Sequence, residues 1–419
     1  MSTPSPTPVE TETEEPPLFA PFYGFSQHSW GSSESGISSF LLVYLALLSL
    51  CLLAAYYLDH LKHRRASLSP AMRFVSAYVS ESGAIILIGA LAGALLTGID
   101  SAIEADPDAL SVGLLQFSST TFFLLLLPPI IFNSGYHINR GLFFPLLPAI
   151  SAYAIIGTTV SAVVVGVGLS LCRGLFGASF APSTAELLAF GALISATDPV
   201  STLATFQSKK VDPVLFYLVF GESVVNDAVG LVLFETLKKF VGYEHDATSA
   251  GIALLDFCVI FFGSTVLGIL VGMVSSCLFR RVDFRPYPHL EISIYVLIVY
   301  VPFIIAEVLS LSGIVTILFT GIVCKCYAHQ SLTSESKVLA DGMFRILAHL
   351  AETTIFLELG LAVFGMTSHG NFHAVFIVLA MVACTVGRAL NVYPLSFVLN
   401  RCCYTGDSPK IPAKTQHML

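Results

Sequence analysis

Eleven stretches of this chain are long and apolar enough to cross a lipid bilayer, and that leaves few folds open. They run roughly over residues 37–58, 83–98, 112–133, 142–171, 185–206, 213–236, 251–279, 289–309, 313–326, 343–366 and 372–399. A span takes ~20 apolar residues because the hydrocarbon core is ~30 Å thick. Backbone N–H and C=O groups in hydrocarbon must find partners within the segment, which selects helices over open strands. The sequence therefore predicts an all-α polytopic membrane protein. Only 11% of the 419 residues are charged, whereas a soluble domain carries about 25%.

The segments between the spans set the organisation. Residues 1–36 are rich in Pro, Ser, Thr and Glu and lack a basic leader. They read as a disordered, acidic, luminal or extracellular arm. A transmembrane domain follows over 37–400, then a short basic cytosolic tail over 401–419. With the amino terminus outside, 16 of the 20 Lys and Arg residues fall on the cytosolic side, as the positive-inside rule demands. The nine cysteines are scattered, without metal spacing or a disulfide framework. They read as small apolar filler, with Cys402 and Cys403 placed beside a span end where acylation occurs. No phosphate loop or nucleophile elbow appears, which argues against ATP-driven pumping and hydrolysis. No enzyme activity, cofactor or nucleic-acid partner is expected.

The spans repeat. Ser82-Gly83 opens the second and Ser312-Gly313 the ninth, 230 positions apart. The third and tenth, and the fourth and eleventh, start at nearly the same offset. Partners seven spans apart run in opposite directions, the pattern of an inverted repeat common in secondary transporters. Extended further, the repeat calls for counterparts of the fifth and sixth spans beyond Leu419. About 11 of 13 spans are then present, and a truncated form is the expectation.

The fifth span is interrupted by Thr197-Asp198-Pro199. Proline lacks an N–H and frees a carbonyl one turn back. Unwound backbone at that depth is tolerated where it lines a cavity, and half-helix ends there supply partial charges for ions. The sixth span carries Gly221-Glu222-Ser223-Val224-Val225-Asn226-Asp227. Ionisable groups at bilayer depth cost at least ~2.5–3.5 kcal/mol and mark functional sites. Ser223 and Asp227 share a helix face, as do Glu222 and Asn226. Ser223 and Asp227 can line one site for a hard monovalent cation. A partly dehydrated carboxylate holds a proton or a cation but not both, and that competition gives one-for-one exchange. Arg388, in mid-span, is the natural structural partner of Glu222. Glu352, Glu358, Glu307, Asp256, Asn133, His349 and His137 are weaker candidates, several of them near span ends.

These residues form segments that resemble a known family. PPIIFNSGY (128–136), FGALISATDPVSTLATF (190–206), FGESVVNDAVGLVLF (220–234), LAETTIFLELGL (350–361) and GRALNVYPLSFVLN (387–400) are similar to the eukaryotic sodium/hydrogen exchangers of the monovalent cation:proton antiporter-1 type. Residues 283–366 look most like the endosomal and Golgi branch. The resemblance implies an inverted-repeat cation/proton antiporter fold of thirteen helices with a broken helix, a homodimer, and elevator movement of a core. It implies that Asp227 binds ion and proton with Asn226 beside it, that Ser223 and Thr197 coordinate Na+ or K+, and that Asp198 stands at the broken-helix crossing next to Pro199. Glu222 and Arg388 would form an ion pair in the core, and the Asn-Asp pair implies electroneutral exchange. Na+, K+ and H+ would be the ions carried, with membrane lipid around them. The alternative is a transport-inactive truncated protomer acting as a dimerising or dominant-negative subunit.

Overall fold

The computed structural model describes residues 34–63, 79–103, 121–138, 140–176, 180, 182–197, 211–241, 247–284, 286–367, 373–402 and 416. Asp198, Pro199, nearly all of the amino-terminal arm and most of the tail lie outside them. Among the described residues, eleven helical segments fall on the eleven apolar stretches, the third and fifth of which are described only in part. They are α1 (Glu34–His63), α2 (Glu81–Ile103), α3 (Phe122–Tyr136), α4 (Arg140–Ser151 and Thr158–Leu171, joined by a π turn at Ala152–Gly157) and α5 (Thr184–Ser195). There follow α6 (Pro213–Lys238), α7 (Ala247–Arg281), α8 (Pro288–Val308), α9 (Gly313–Val323, continued by turns at Cys324–Ala328 and His329–Ser331), α10 (Ser334–Thr367) and α11 (Ala374–Cys402). Among the described residues, eight helices are long and apolar enough to cross a membrane. The chain is an integral multi-pass membrane protein.

Local chemistry sets the ends. Ser183 and Glu186 form a reciprocal capping box at α5, and the Asp212 carboxylate accepts the Val214 N–H ahead of Pro213 at α6. At the other end of α5, Ala196 turns to extended geometry with ψ 125°. The residue before a proline avoids helical geometry, so a stop just ahead of Asp198-Pro199 is expected. The start of α10 departs from the hydropathy reading: it lies at Ser334, nine residues before the expected 343. Its first turns are polar, capped by Thr333 Oγ1 accepting from Ser336 N–H at 3.3 Å and tied to α9 by Lys325–Asp341 at 2.9 Å. Those residues are helical without being apolar.

The packing obeys the inverted repeat. α2 lies on α10 and α9 lies on α3; exchanging the two repeats turns one contact into the other. α1 on α2 likewise becomes α8 on α9. The openings of α2 and α9 are both serine-capped, Ser80 Oγ accepting from Gly83 N–H at 3.1 Å and Ser312 Oγ from Val315 N–H at 3.4 Å. These caps stand 232 positions apart, two more than the sequence similarity suggests. Both interdigitating crossings are glycine on backbone. A Cβ on Gly89 would lie 2.6 Å from Leu357 O and 3.0 Å from Gly360 Cα, and one on Gly135 would lie 2.5 Å from Leu318 O. Small residues let membrane helices approach this closely where no hydrophobic drive separates helix from lipid.

α4 and α11, the remaining pair of repeat partners, cross each other. Ser161 Oγ donates to Gly387 O at 3.2 Å. Shifting each residue by 230 carries that contact onto Asn391 and Gly157, and there the Asn391 amide occupies the space a Cβ on Gly157 would need. Further along, Tyr153 OH and Ser396 Oγ are 2.6 Å apart. One helix numbers upward as the other numbers downward, so the crossing is antiparallel.

Two packing groups result. α4, α5, α6 and α11 pack together, and α1, α2, α3, α7, α8, α9 and α10 form the other group, joined to the first chiefly through α6.

Candidate functional site

Three polar residues of α6 are among its buried ones. Glu222 and Asn226 have no exposed surface and Ser223 is 3% exposed, although nothing apolar recommends them. Each must therefore be held by a partner. Glu222 is held by Arg388 of α11: Nη1 donates to Oε1 at 2.5 Å and Nη2 to Oε2 at 3.0 Å. This two-pronged geometry matches the guanidinium fork to the carboxylate. It cancels the one charge next to the other at a depth where either alone is costly. The ion pair expected from the sequence is thus formed, and it fastens α6 to α11.

One turn further along α6, Asn226 Nδ2 donates to Thr197 Oγ1 at 3.1 Å. Thr197 is the second residue past the end of α5, so this bond joins α6 to the interruption. Asn226 Oδ1 stays buried without a protein partner. Asp227 is half-buried and engaged by its surroundings. Ser223 sits one turn before it on the same face. Four of the residues singled out in the sequence, Glu222, Ser223, Asn226 and Asp227, thus lie on one buried stretch of α6, and Thr197 and Arg388 reach it from α5 and α11. Asp198 and Pro199 fall outside the described residues. The arrangement offers a carboxylate, an amide oxygen and two hydroxyls near a helix end, a set of hard oxygen donors suited to a small cation.

The weaker candidates separate. Glu358 accepts from Tyr44 OH at 3.0 Å and belongs to the α1–α10 contact. Glu307 accepts from Gly313 N–H at 3.3 Å and closes the α8–α9 turn. Asp256 pairs with Lys239 at 3.4 Å, and His349 lies 3.9 Å from Glu81. His137 is more than interfacial: its Nδ1 faces Asn133 O at 3.1 Å and its Nε2 accepts from Arg345 Nε at 3.1 Å. Burial lowers the His137 pKa below its usual value, with Arg345 and Lys325 acting the same way against Asn133 O and Asp341. Sequence reasoning missed Thr158, Ser161 and Asn391. The repeat offset, applied residue by residue, pairs Ser161 with Asn391 and Thr158 with Arg388, and would have pointed to them.

The family model described as "Sodium/hydrogen exchanger, transmembrane" matches residues 65–419. The chain is 38% identical over 327 residues to sodium/hydrogen exchanger 8 of Gallus gallus, covering 77% of this chain and 56% of that protein. It is 37% identical over 314 residues to sodium/hydrogen exchanger 9 of Homo sapiens, covering 73% and 48%. It spans about half the length of these relatives. In structure it is similar to the sodium proton antiporter MjNhaP1 from Methanocaldococcus jannaschii, with a TM-score of 0.59 at 15% identity over 91% of each chain. The fold is that of a cation/proton antiporter. The chain belongs to the sodium/hydrogen exchanger family.

Proposed function

We propose that the chain exchanges Na+ or K+ for H+ across a membrane, electroneutrally, with Asp227 as the group that carries either ion. The carrying observation is the bond from Asn226 to Thr197. It puts the end of α5 beside the buried stretch of α6 that holds Asp227. In this reading Asp227, Ser223 and Thr197 supply oxygens to the cation, Asn226 and Asp198 shape the site, and Pro199 keeps the helix open there. Binding a proton removes the charge that holds the cation, so each turnover moves one for the other. Glu222 and Arg388 hold α6 and α11 as one body.

The division of helices into two groups supports elevator movement of α4, α5, α6 and α11 against the rest, with a second copy of the chain and membrane lipid as partners. Both relatives are named sodium/hydrogen exchangers, which supports the choice of ions. An endosomal or Golgi membrane is the proposed location, carried by the likeness of residues 283–366 to that branch. The test is cation-driven proton flux in vesicles holding the purified chain, next to its Asp227→Asn variant. Flux driven by Na+ or K+ that disappears in the variant is expected. Flux that survives in the variant removes Asp227 from the role. Absence of flux from both favours the second reading, a dimerising subunit that does not transport.

A further inference from the structure

Among the described residues, Asn391 alone has both polar side-chain atoms, Oδ1 and Nδ2, buried without a protein partner. It is 1% exposed. Thr158, also 1% exposed, has a buried hydroxyl in the same condition. The Asn391 amide is pressed into the notch left by Gly157, and Thr158 is the next residue of α4. A threonine in a helix can bond back to the carbonyl four residues earlier, as Thr159 does to Ile155 O; Thr158, at the end of the π turn Ala152–Gly157, does not. Its backbone N–H is shared between Ile155 O and Tyr153 O instead. Symmetry sharpens the contrast. The repeat-related Ser161 satisfies its hydroxyl on Gly387 O, and the repeat-related Arg388 is committed to Glu222.

An unpaired buried polar atom costs roughly 1–3 kcal/mol, so three at one helix crossing call for a partner. Its chemistry is constrained. The Asn391 N–H2 group and the Arg388 guanidinium one turn away oppose a cation. The Asn391 and Thr158 oxygens, together with the nearby Glu222, oppose an anion. A small neutral group that both donates and accepts fits all of them, and a buried water typically makes about three hydrogen bonds. π turns in helices are also where backbone ladders open to an inserted partner. We propose that Asn391, Thr158 and the π turn of α4 form a buried water-binding site at the crossing of the two repeats. The water links α4 to α11 one turn from the Arg388–Glu222 clamp. The site does not depend on the transport reading.

The experiment is a double-mutant cycle on thermal unfolding of the purified full chain in detergent, with Thr158→Val, Asn391→Leu and the pair. Removing one member of a hydrogen-bonded set strands the others, whereas replacing the polar groups together with apolar shapes is nearly neutral. Each single variant should lower Tm, and the pair should lie no lower than the worse single. Losses that add, or singles without loss, overturn the proposal. Asn391→Ser keeps a donor and an acceptor and serves if the leucine variant does not fold; it should unfold within a few degrees of the parent, and a loss as large as that of Asn391→Ala overturns the site. Water-edited solid-state NMR reads the ligand itself. Magnetisation transfer from water to the Asn391 side-chain amide is expected in the parent and should fall in Thr158→Val. A dry amide in the parent overturns the assignment.

Discussion

The α2–α10 and α4–α11 crossings solve the same problem in opposite ways. At α2–α10 two backbones touch through Gly89 and Gly360, and a Cβ on Gly360 would run into Ile86 O. No polar side chain is needed there. At α4–α11 the glycines receive polar side chains instead, Asn391 on Gly157 and Ser161 near Gly387, with Arg388 reaching on to Glu222. Close van der Waals packing holds helices together in lipid without a hydrophobic drive. Polar groups at that depth are costly, and here they gather at the α4–α11 crossing rather than where Gly89 meets Gly360. The packing groups follow the same line, with the polar crossing among α4, α5, α6 and α11.

The contrast breaks most sharply at the ion pair. Arg388→Leu should destabilise the chain by about 3–5 kcal/mol, since it leaves Glu222 charged, wholly buried and alone. Adding Glu222→Leu should recover most of the loss, because an apolar pair of similar volume is often neutral. Thermal unfolding in detergent reads both. An Arg388→Leu loss that Glu222→Leu does not relieve would mean the guanidinium serves another group.

Gly360→Ala comes next. Its methyl meets backbone, which has nowhere to move, so folded yield should fall and Tm drop by several degrees. Gly387→Ala places its Cβ 3.4 Å from Ser161 O and Val165 Cγ2, ordinary contact, and should change Tm little. Equal losses at the two glycines would erase the distinction between the crossings.

The smallest effect is a pH dependence on the packing side. His137 keeps Nε2 as an acceptor for Arg345, and its folded pKa lies below the ordinary 6.5. The unfolded chain then binds the proton more readily, so the stability from this contact is present above about pH 6.5 and lost as pH falls through the folded value. Hydrogen-exchange protection factors at the end of α3 should fall on acidification in the parent and not in His137→Gln. An unchanged profile in both would show that the Arg345 contact does not hold that end.

Most of this was legible in the chain. Span count, inverted repeat and the Glu222–Arg388 pair follow from hydropathy, spacing and the scarcity of charge in mid-span. The start of α10 was not, because a polar helix at a membrane edge carries no hydropathy signal and its cap depends on Thr333 and Lys325 meeting it in space. Asn391 and Thr158 stayed hidden for a different reason. Neutral polar residues in apolar helices are common, and only the crossing shows which lack partners. The Tyr44–Glu358 bond joins residues 314 positions apart, a pairing no local pattern predicts.

The central claim is that the two repeats meet antiparallel at α4 and α11 on a 230-residue register. Disulfide trapping in a background without the native cysteines tests it most directly. Ser161→Cys with Gly387→Cys, and Gly157→Cys with Asn391→Cys, should cross-link in membranes. The mismatched pairs, Gly157→Cys with Gly387→Cys and Ser161→Cys with Asn391→Cys, should not. Cross-linking confined to the mismatched pairs would contradict the register, and with it the placement of Arg388 over Glu222.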